Sequence, residues 1–131
     1  MQVQLVTPER RIFSTEASEV VLTGALGQMT VLPGHIPLVT ALEPGPLVIK
    51  RADGKVEHYA VGGGVAQIDH DTLTILAESA EGRDEIDVVR AEKAREAALK
   101  ALKEQSYYDE AFAETQAAVG RAAARISVAR H

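Results

Sequence analysis

A turn-rich β-domain followed by a two-helix hairpin is the fold that this sequence predicts, on three observations. Glycine and proline crowd one end, where nine of the ten glycines and all five prolines precede Arg83. Alanine crowds the other, with thirteen in the 48 residues from Asp84 to His131, where Gly120 is the only glycine. The apolar period changes with them, from two to three-and-four. These shifts divide the chain into residues 1–83, a β-domain, and residues 84–131, a helical one.

The first half reads as short strands. "QVQLV" alternates, with Val3 and Leu5 on one face, and "SEVVLTG" places Val20 and Leu22 together. "PLVIKR", "KVEHYAV" and "DTLTILAE" keep the same period. Turn signals separate them at Thr7-Pro8, Gly24 to Gly27, Pro33-Gly34, Glu43-Pro44-Gly45, Asp53-Gly54 and Asp69 to Asp71. Asp53-Gly54 predicts a hairpin, because glycine tolerates positive φ. Pro33 presets φ for the first central position of a type II turn and Gly34 suits the second. Ile36 precedes Pro37 and is therefore expected to be extended. Many short strands at regular spacing predict a sandwich or flattened barrel.

The second half reads as two helices, about 86–104 and from an Asp109 cap to about Ala129. Asp84, Glu85 and Asp87 suit the positive end of the first helix dipole. The second helix carries a stripe at Phe112, Thr115, Val119, Ala122, Ile126 and Ala129. The first answers with Ala91, Ala94, Ala98 and Ala101, and the short "QSYYD" connection makes the pair antiparallel. Alanine faces offer few methylenes, each worth about 0.8 kcal/mol when buried. Such a hairpin is marginal alone, and can exchange between docked and extended positions on a firmer domain.

Composition excludes several function classes. There are no cysteines, hence no disulfide or thiolate metal site. A net charge of −5 opposes wrapping of nucleic acid. No apolar run is long enough to span a membrane, and "MQVQLVTPERR" lacks a signal-peptide pattern, which suits a cytosolic protein. His35, His58, His70 and His131 follow no metal-ligand spacing, and no catalytic residue set is recognisable. "VGGGVAQ" lacks phosphate-loop spacing and reads as a turn or bulge where backbones approach closely.

Two constellations remain. His35 sits on the rigid Pro33-Gly34 corner, which is either a structural turn or a docking loop. In the hairpin, Arg121 and Arg125 stand four apart, and an antiparallel pairing brings Arg90 level with them, beside Asp87. Three guanidiniums against one carboxylate leave an excess of positive charge that suits a polyphosphate. A surface salt-bridge network is the competing reading.

The chain resembles the epsilon-subunit family of the rotary F-type ATP synthase (delta in mitochondria). The resemblance rests on "VTPER", "VLPGHIPLVTAL", "AVGGGVAQI", "LTILAESAE", "EIDVVRA" and "RISVA", in that order and at this length. It implies an N-terminal ten-stranded β-sandwich and a C-terminal antiparallel two-helix hairpin. It also implies a non-catalytic rotor subunit that couples catalysis to proton transport. The implied partners are the gamma subunit, the c-ring and the alpha/beta catalytic hexamer, at the cytoplasmic face of the bacterial inner membrane. In such a subunit the hairpin extends to oppose ATP hydrolysis; a purely structural coupling role is the alternative. Gly27, Gln28 and Met29 match the family's loop over the c-ring, and His35 its Pro-Gly-His turn. Gln28 stands where the family often has an acid. Ile86, Asp87, Arg90 and Ala91 match an Ile-Asp-x-x-Arg-Ala motif of ATP-binding relatives, and Glu81, Arg121 and Arg125 match further positions used there. Lys93 or Arg95 stands for another basic residue. The resemblance thus implies a regulatory ATP, with or without Mg, and no required cofactor.

Overall fold

The computed structural model describes residues 1–130. Seven strands are followed by two helices: β1 (Gln2–Val6), β2 (Arg11–Gly24), β3 (Gly27–Val31), β4 (Leu38–Arg51), β5 (Val56–Asp69), β6 (Thr72–Ala77), β7 (Ala80–Gly82), α1 (Val88–Glu104) and α2 (Phe112–Ala129). A 3-10 turn, Arg83–Glu85, joins β7 to α1. The sheet runs β1-β6-β5-β4-β2-β3, and β1 also pairs β2, so the path closes on itself as a flattened barrel. Closure removes two edges, leaving the short β3 and β7 at the margins.

The expected ten strands are seven, because β2, β4 and β5 are each 14 residues long and stay continuous where the sequence is punctuated. Glu43-Pro44-Gly45, read as a turn, lies inside β4. There Leu42 pairs Gly64, Pro44 pairs Gly62, and the β4–β5 register does not slip. The other partner of β4 behaves differently: the β2–β4 ladder is interrupted between Val21 and Gly24, opposite the Pro44–Pro46 stretch. Proline lacks an N–H and is tolerated where a ladder is already broken. Gly63 and Gly64 have φ of 107° and 145°, so the triple glycine is a bend within β5. A side chain at Gly64 would strike the Leu76 carbonyl.

The core follows the alternation. Val3, Leu5, Val20, Leu22, Leu47, Ile49, Leu73 and Ile75 are buried in one aliphatic cluster, with Phe13 and Tyr59 packed at its margin. Asp53-Gly54 and Pro33-Gly34 form the expected turns, with Gly54 at φ 89° and Gly34 at φ 82°. The His35 N–H donates to the Leu32 carbonyl across the second turn.

The helix starts differ from expectation. Asp84 and Glu85 belong to the 3-10 turn, and Asp87 caps α1, its Oδ1 accepting the Arg90 N–H at 3.1 Å. Asp109 does not cap α2. Its carboxylate turns back to accept the Ser106 N–H at 2.8 Å, and α2 begins at Phe112 after Ala111. On α1 only Ala91 is buried, and Ala94 is exposed. On α2 the buried residues are Ala122, Ala124, Ile126 and Val128. The helix therefore has two inward faces: the expected stripe, which reaches Ala122 and Ile126, and a second at Ala124 and Val128. The second face packs on Ala60 of β5, with Ile86 at its edge. The sequence stripe identifies one of them.

Candidate functional site

The C-terminal motif folds into a cleft between the β-domain and the hairpin. Glu81 enters from β7, Glu85 from the 3-10 turn, Asp87, Arg90 and Ala91 from the start of α1, and Arg125 from α2. The cleft encloses about 260 Å³. Asp87 is there because it caps the helix, which sets Arg90 one turn along the same helix. Arg125 is there because α2 packs across β4 and β5. Ile86 lies beside the cleft, in the small apolar cluster with Ala60, Ala124 and Val128.

Arg121 does not line this cleft. Its Nη2 donates to Glu114 Oε1 at 2.7 Å, two turns earlier on α2, and its side chain lies over Gly62. The structure brings Arg90 and Arg125 together, and directs Arg121 elsewhere. The expected charge balance changes too. Two guanidiniums face three carboxylates, Glu81, Glu85 and Asp87, in place of three against one. Arg125 Nε donates to Glu81 Oε1 at 2.7 Å, each side chain about one-third exposed. Glu85 is also engaged: its Oε1 accepts the Gly82 N–H at 3.2 Å, and Arg10 stands 3.9 Å from its other oxygen. Arg90 and Arg125 both line the cleft, and guanidinium donors form charge-assisted hydrogen bonds at short range. Arg10 and Glu114 escape sequence reading because no spacing pattern connects them to the motif, and Glu85 is read there as a helix-start acid and not as a cleft residue. Lys93 is exposed and Arg95 half-buried on α1, and neither lines the cleft.

On its other side, the linker borders Tyr59. The Tyr59 phenol donates to Glu57 Oε2 at 3.2 Å and its ring stacks on Phe13 at 5.4 Å. Burial, then the nearby Glu57 charge, push the phenol up to about 12.

The second candidate site surrounds β3. Gly27 has φ 120° and pairs Gly24 across the β2–β3 turn. Gln28 is exposed, whereas Met29 packs against the core beside Leu22. His35 is partly exposed, its Nδ1 2.8 Å from the Ile36 carbonyl. The Gly34 N–H donates to Asp71 Oδ1 at 3.0 Å, which ties this loop to the β5–β6 turn. Leu26, Leu32 and Ile36 are exposed aliphatics on the two loops flanking β3, a docking surface that sequence reading does not pick out, since it treats Ile36 only as the extended residue before Pro37. The available signal was an aliphatic side chain placed inside a glycine- or proline-bounded turn.

The comparisons with known proteins follow this architecture. Residues 1–83 match the family described as ATP synthase, Delta/Epsilon chain, beta-sandwich domain. Residues 84–130 match ATP synthase, Delta/Epsilon chain, long alpha-helix domain. The chain belongs to the delta/epsilon family of the ATP synthase. Membership makes it a non-catalytic subunit of that complex. It is 45% identical to the ATP synthase epsilon chain of Geotalea uraniireducens, over 98% of this chain and 93% of that relative. It is 43% identical to the epsilon chain of Anaeromyxobacter dehalogenans strain 2CP-1, over 98% and 97%. Among solved structures it resembles a chain of the Euglena gracilis mitochondrial ATP synthase OSCP/F1/c-ring assembly. That match has a TM-score of 0.81 and 26% identity, over 98% of this chain and 80% of that one.

Proposed function

We propose that the chain is a central-stalk rotor subunit whose β-domain docks on the gamma subunit and the c-ring, and whose hairpin regulates ATP hydrolysis by the alpha/beta hexamer. The solved relative comes from an assembly containing F1 and a c-ring. Leu26, Leu32 and Ile36 supply exposed aliphatic surface on the loops that carry Gly27, Gln28 and His35. A further concave apolar surface runs over Val6, Pro8, Val65 and Leu76. Exposed apolar patches of this kind fit protein partners. No described helix is long and apolar enough to cross a membrane. Peripheral attachment at the cytoplasmic face of a bacterial inner membrane follows from rotor docking.

The observation that carries the regulatory reading is the thinness of the seam beneath α2. Ala60, Ala124 and Val128, with Ile86 beside them, make up its apolar cluster, and the Glu81–Arg125 pair closes one side. Few buried methylenes hold the hairpin down, so modest free energies move it. In the docked position, Asp87, Arg90 and Arg125 share a cleft suited to a regulatory ATP. In the extended position they separate. Ligand at about 100 times its dissociation constant contributes about 2.7 kcal/mol to the state that binds it.

Deletion of residues 84–131 in the assembled complex tests the regulatory role. Faster ATP hydrolysis with coupling retained is the expected result. Unchanged hydrolysis makes the hairpin purely structural. Calorimetry of the isolated chain with MgATP, against an Arg121→Ala/Arg125→Ala variant, tests the nucleotide. Heat that persists undiminished in the variant removes the arginine site.

A further inference from the structure

We propose that Asp71 is a positioning residue for rotor docking: its carboxylate holds the Pro33-Gly34 loop, and the turn between β5 and β6 adopts an unfavourable backbone to put it there. The inference rests on the docking role of the loops beside β3, and names a residue outside them that sets their shape.

Three observations support it. The first is the turn itself. Asp69 pairs Thr72, so His70 and Asp71 alone connect β5 to β6. Both have positive φ, 49° and 57°, the φ pattern of a type I′ turn. Such turns favour Asn-Gly and Asp-Gly, because glycine has no Cβ to clash. His70 and Asp71 are the two positive-φ residues other than glycine among the described residues. Backbone of that kind persists where its surroundings hold it.

The second is what Asp71 does there. Its Oδ1 accepts the Gly34 N–H at 3.0 Å. Its carbonyl accepts the Gln2 N–H at 3.1 Å, at the start of β1. The main chain at Asp71 is thus fixed to the barrel, and the carboxylate passes that fixity to the loop. A glycine there would suit the turn better, and would leave the Gly34 N–H to water. The third is the loop. Residues 32–37 lie between β3 and β4, outside the strands. Two further bonds, from the His35 N–H to the Leu32 carbonyl and between His35 Nδ1 and the Ile36 carbonyl, stay inside it. Asp71 joins it to a different part of the barrel. Ile36, 75% exposed, stands two residues beyond that bond.

Turn chemistry and positioning rank substitutions at Asp71 oppositely, and the test uses this. Asp71→Gly suits the turn and removes the acceptor. Asp71→Asn keeps an acceptor oxygen and tolerates left-handed backbone. Three quantities are measured on the full chain: the thermal midpoint, exchange of the Gly34 amide, and rebinding to the ATP synthase complex stripped of this chain. Asp71→Gly is expected to hold the midpoint within about 3 °C of wild type. Its Gly34 amide is expected to exchange about fivefold faster, and rebinding to weaken about fivefold. Asp71→Asn is expected to recover most of both losses. Ile36→Asp, in the loop itself, reports on docking. If Ile36→Asp weakens rebinding and Asp71→Gly does not, the positioning role is overturned and the docking reading stands. If Ile36→Asp rebinds as wild type does, the docking reading falls, and the inference with it. Equal Gly34 exchange in wild type and Asp71→Gly removes the tie. A midpoint that drops steeply in Asp71→Gly also overturns the proposal, because the turn then needs aspartate for its own stability.

Discussion

Helix α2 crosses the β-domain at Gly120, against Pro44: a methyl group at Gly120 would lie 3.3 Å from Pro44 Cβ. The sole glycine of the helical half thus stands where the helix approaches the bent part of β4. Glycine in a helix interior costs about 1 kcal/mol relative to alanine, and the close approach explains its use here. Gly120→Leu is expected to push α2 off β4, at an overpacking cost of about 1–3 kcal/mol. Hydrogen exchange reads this as loss of protection in α2 with the β-domain core unchanged. Equal protection in both proteins would mean that the contact does not hold the hairpin.

Val128 is the largest fully buried side chain under the hairpin. Val128→Ala removes about two methylene equivalents, and is expected to weaken docking by about 1.5 kcal/mol. A cysteine-crosslinking or exchange measurement of α2 shows the change. The denaturant midpoint of the β-domain, whose core lies within residues 1–77, is expected to move little.

Tyr59 sets an alkaline limit. Its phenol is raised from 10.0 to about 12, so the folded chain favours the protonated form. That contribution is complete below about pH 10, and is lost as pH rises towards about 12. Stability is expected to fall across that window, and Tyr59→Phe to flatten the fall, in unfolding curves measured between pH 9 and about 12. A slope indifferent to Tyr59→Phe would assign the loss to other groups.

The Pro33-Gly34 turn is held from outside by Asp71. Gly34 adopts φ 82°, which costs another residue about 1 kcal/mol or more. Gly34→Val and Asp71→Ala are each expected to loosen the loop. Rotor assembly measured by co-purification should weaken more for Gly34→Val. If both variants assemble as wild type does, the loop shape does not matter for docking.

Much of this molecule was legible beforehand, for local reasons. Val3, Leu5, Val20, Leu22, Leu73 and Ile75 alternate because a strand repeats every two residues, and all are buried. Gly34 and Gly54 mark turns because those turns need positive φ. Glu43-Pro44-Gly45 misled for the same reason. Glycine and proline signal a change of direction, but a strand whose partner bends with it keeps its ladder. Asp109 misled because an acid before a helix can cap forwards or hydrogen-bond back, and here it reaches Ser106. The Ala124–Val128 face was hidden because alanine faces look alike until something packs on one.

Periodicity and turn chemistry act over a few residues, so residue order alone settled the β-then-helix grammar, the hairpin turns and the placement of Asp87 and Arg90 on one motif. The charge of the cleft is a different kind of quantity. It depends on Glu81, carried in on a marginal strand 44 residues from Arg125, and on Arg121 turning away to Glu114. Electrostatic sums run over distance in space, and only the folded chain decides which distances are short.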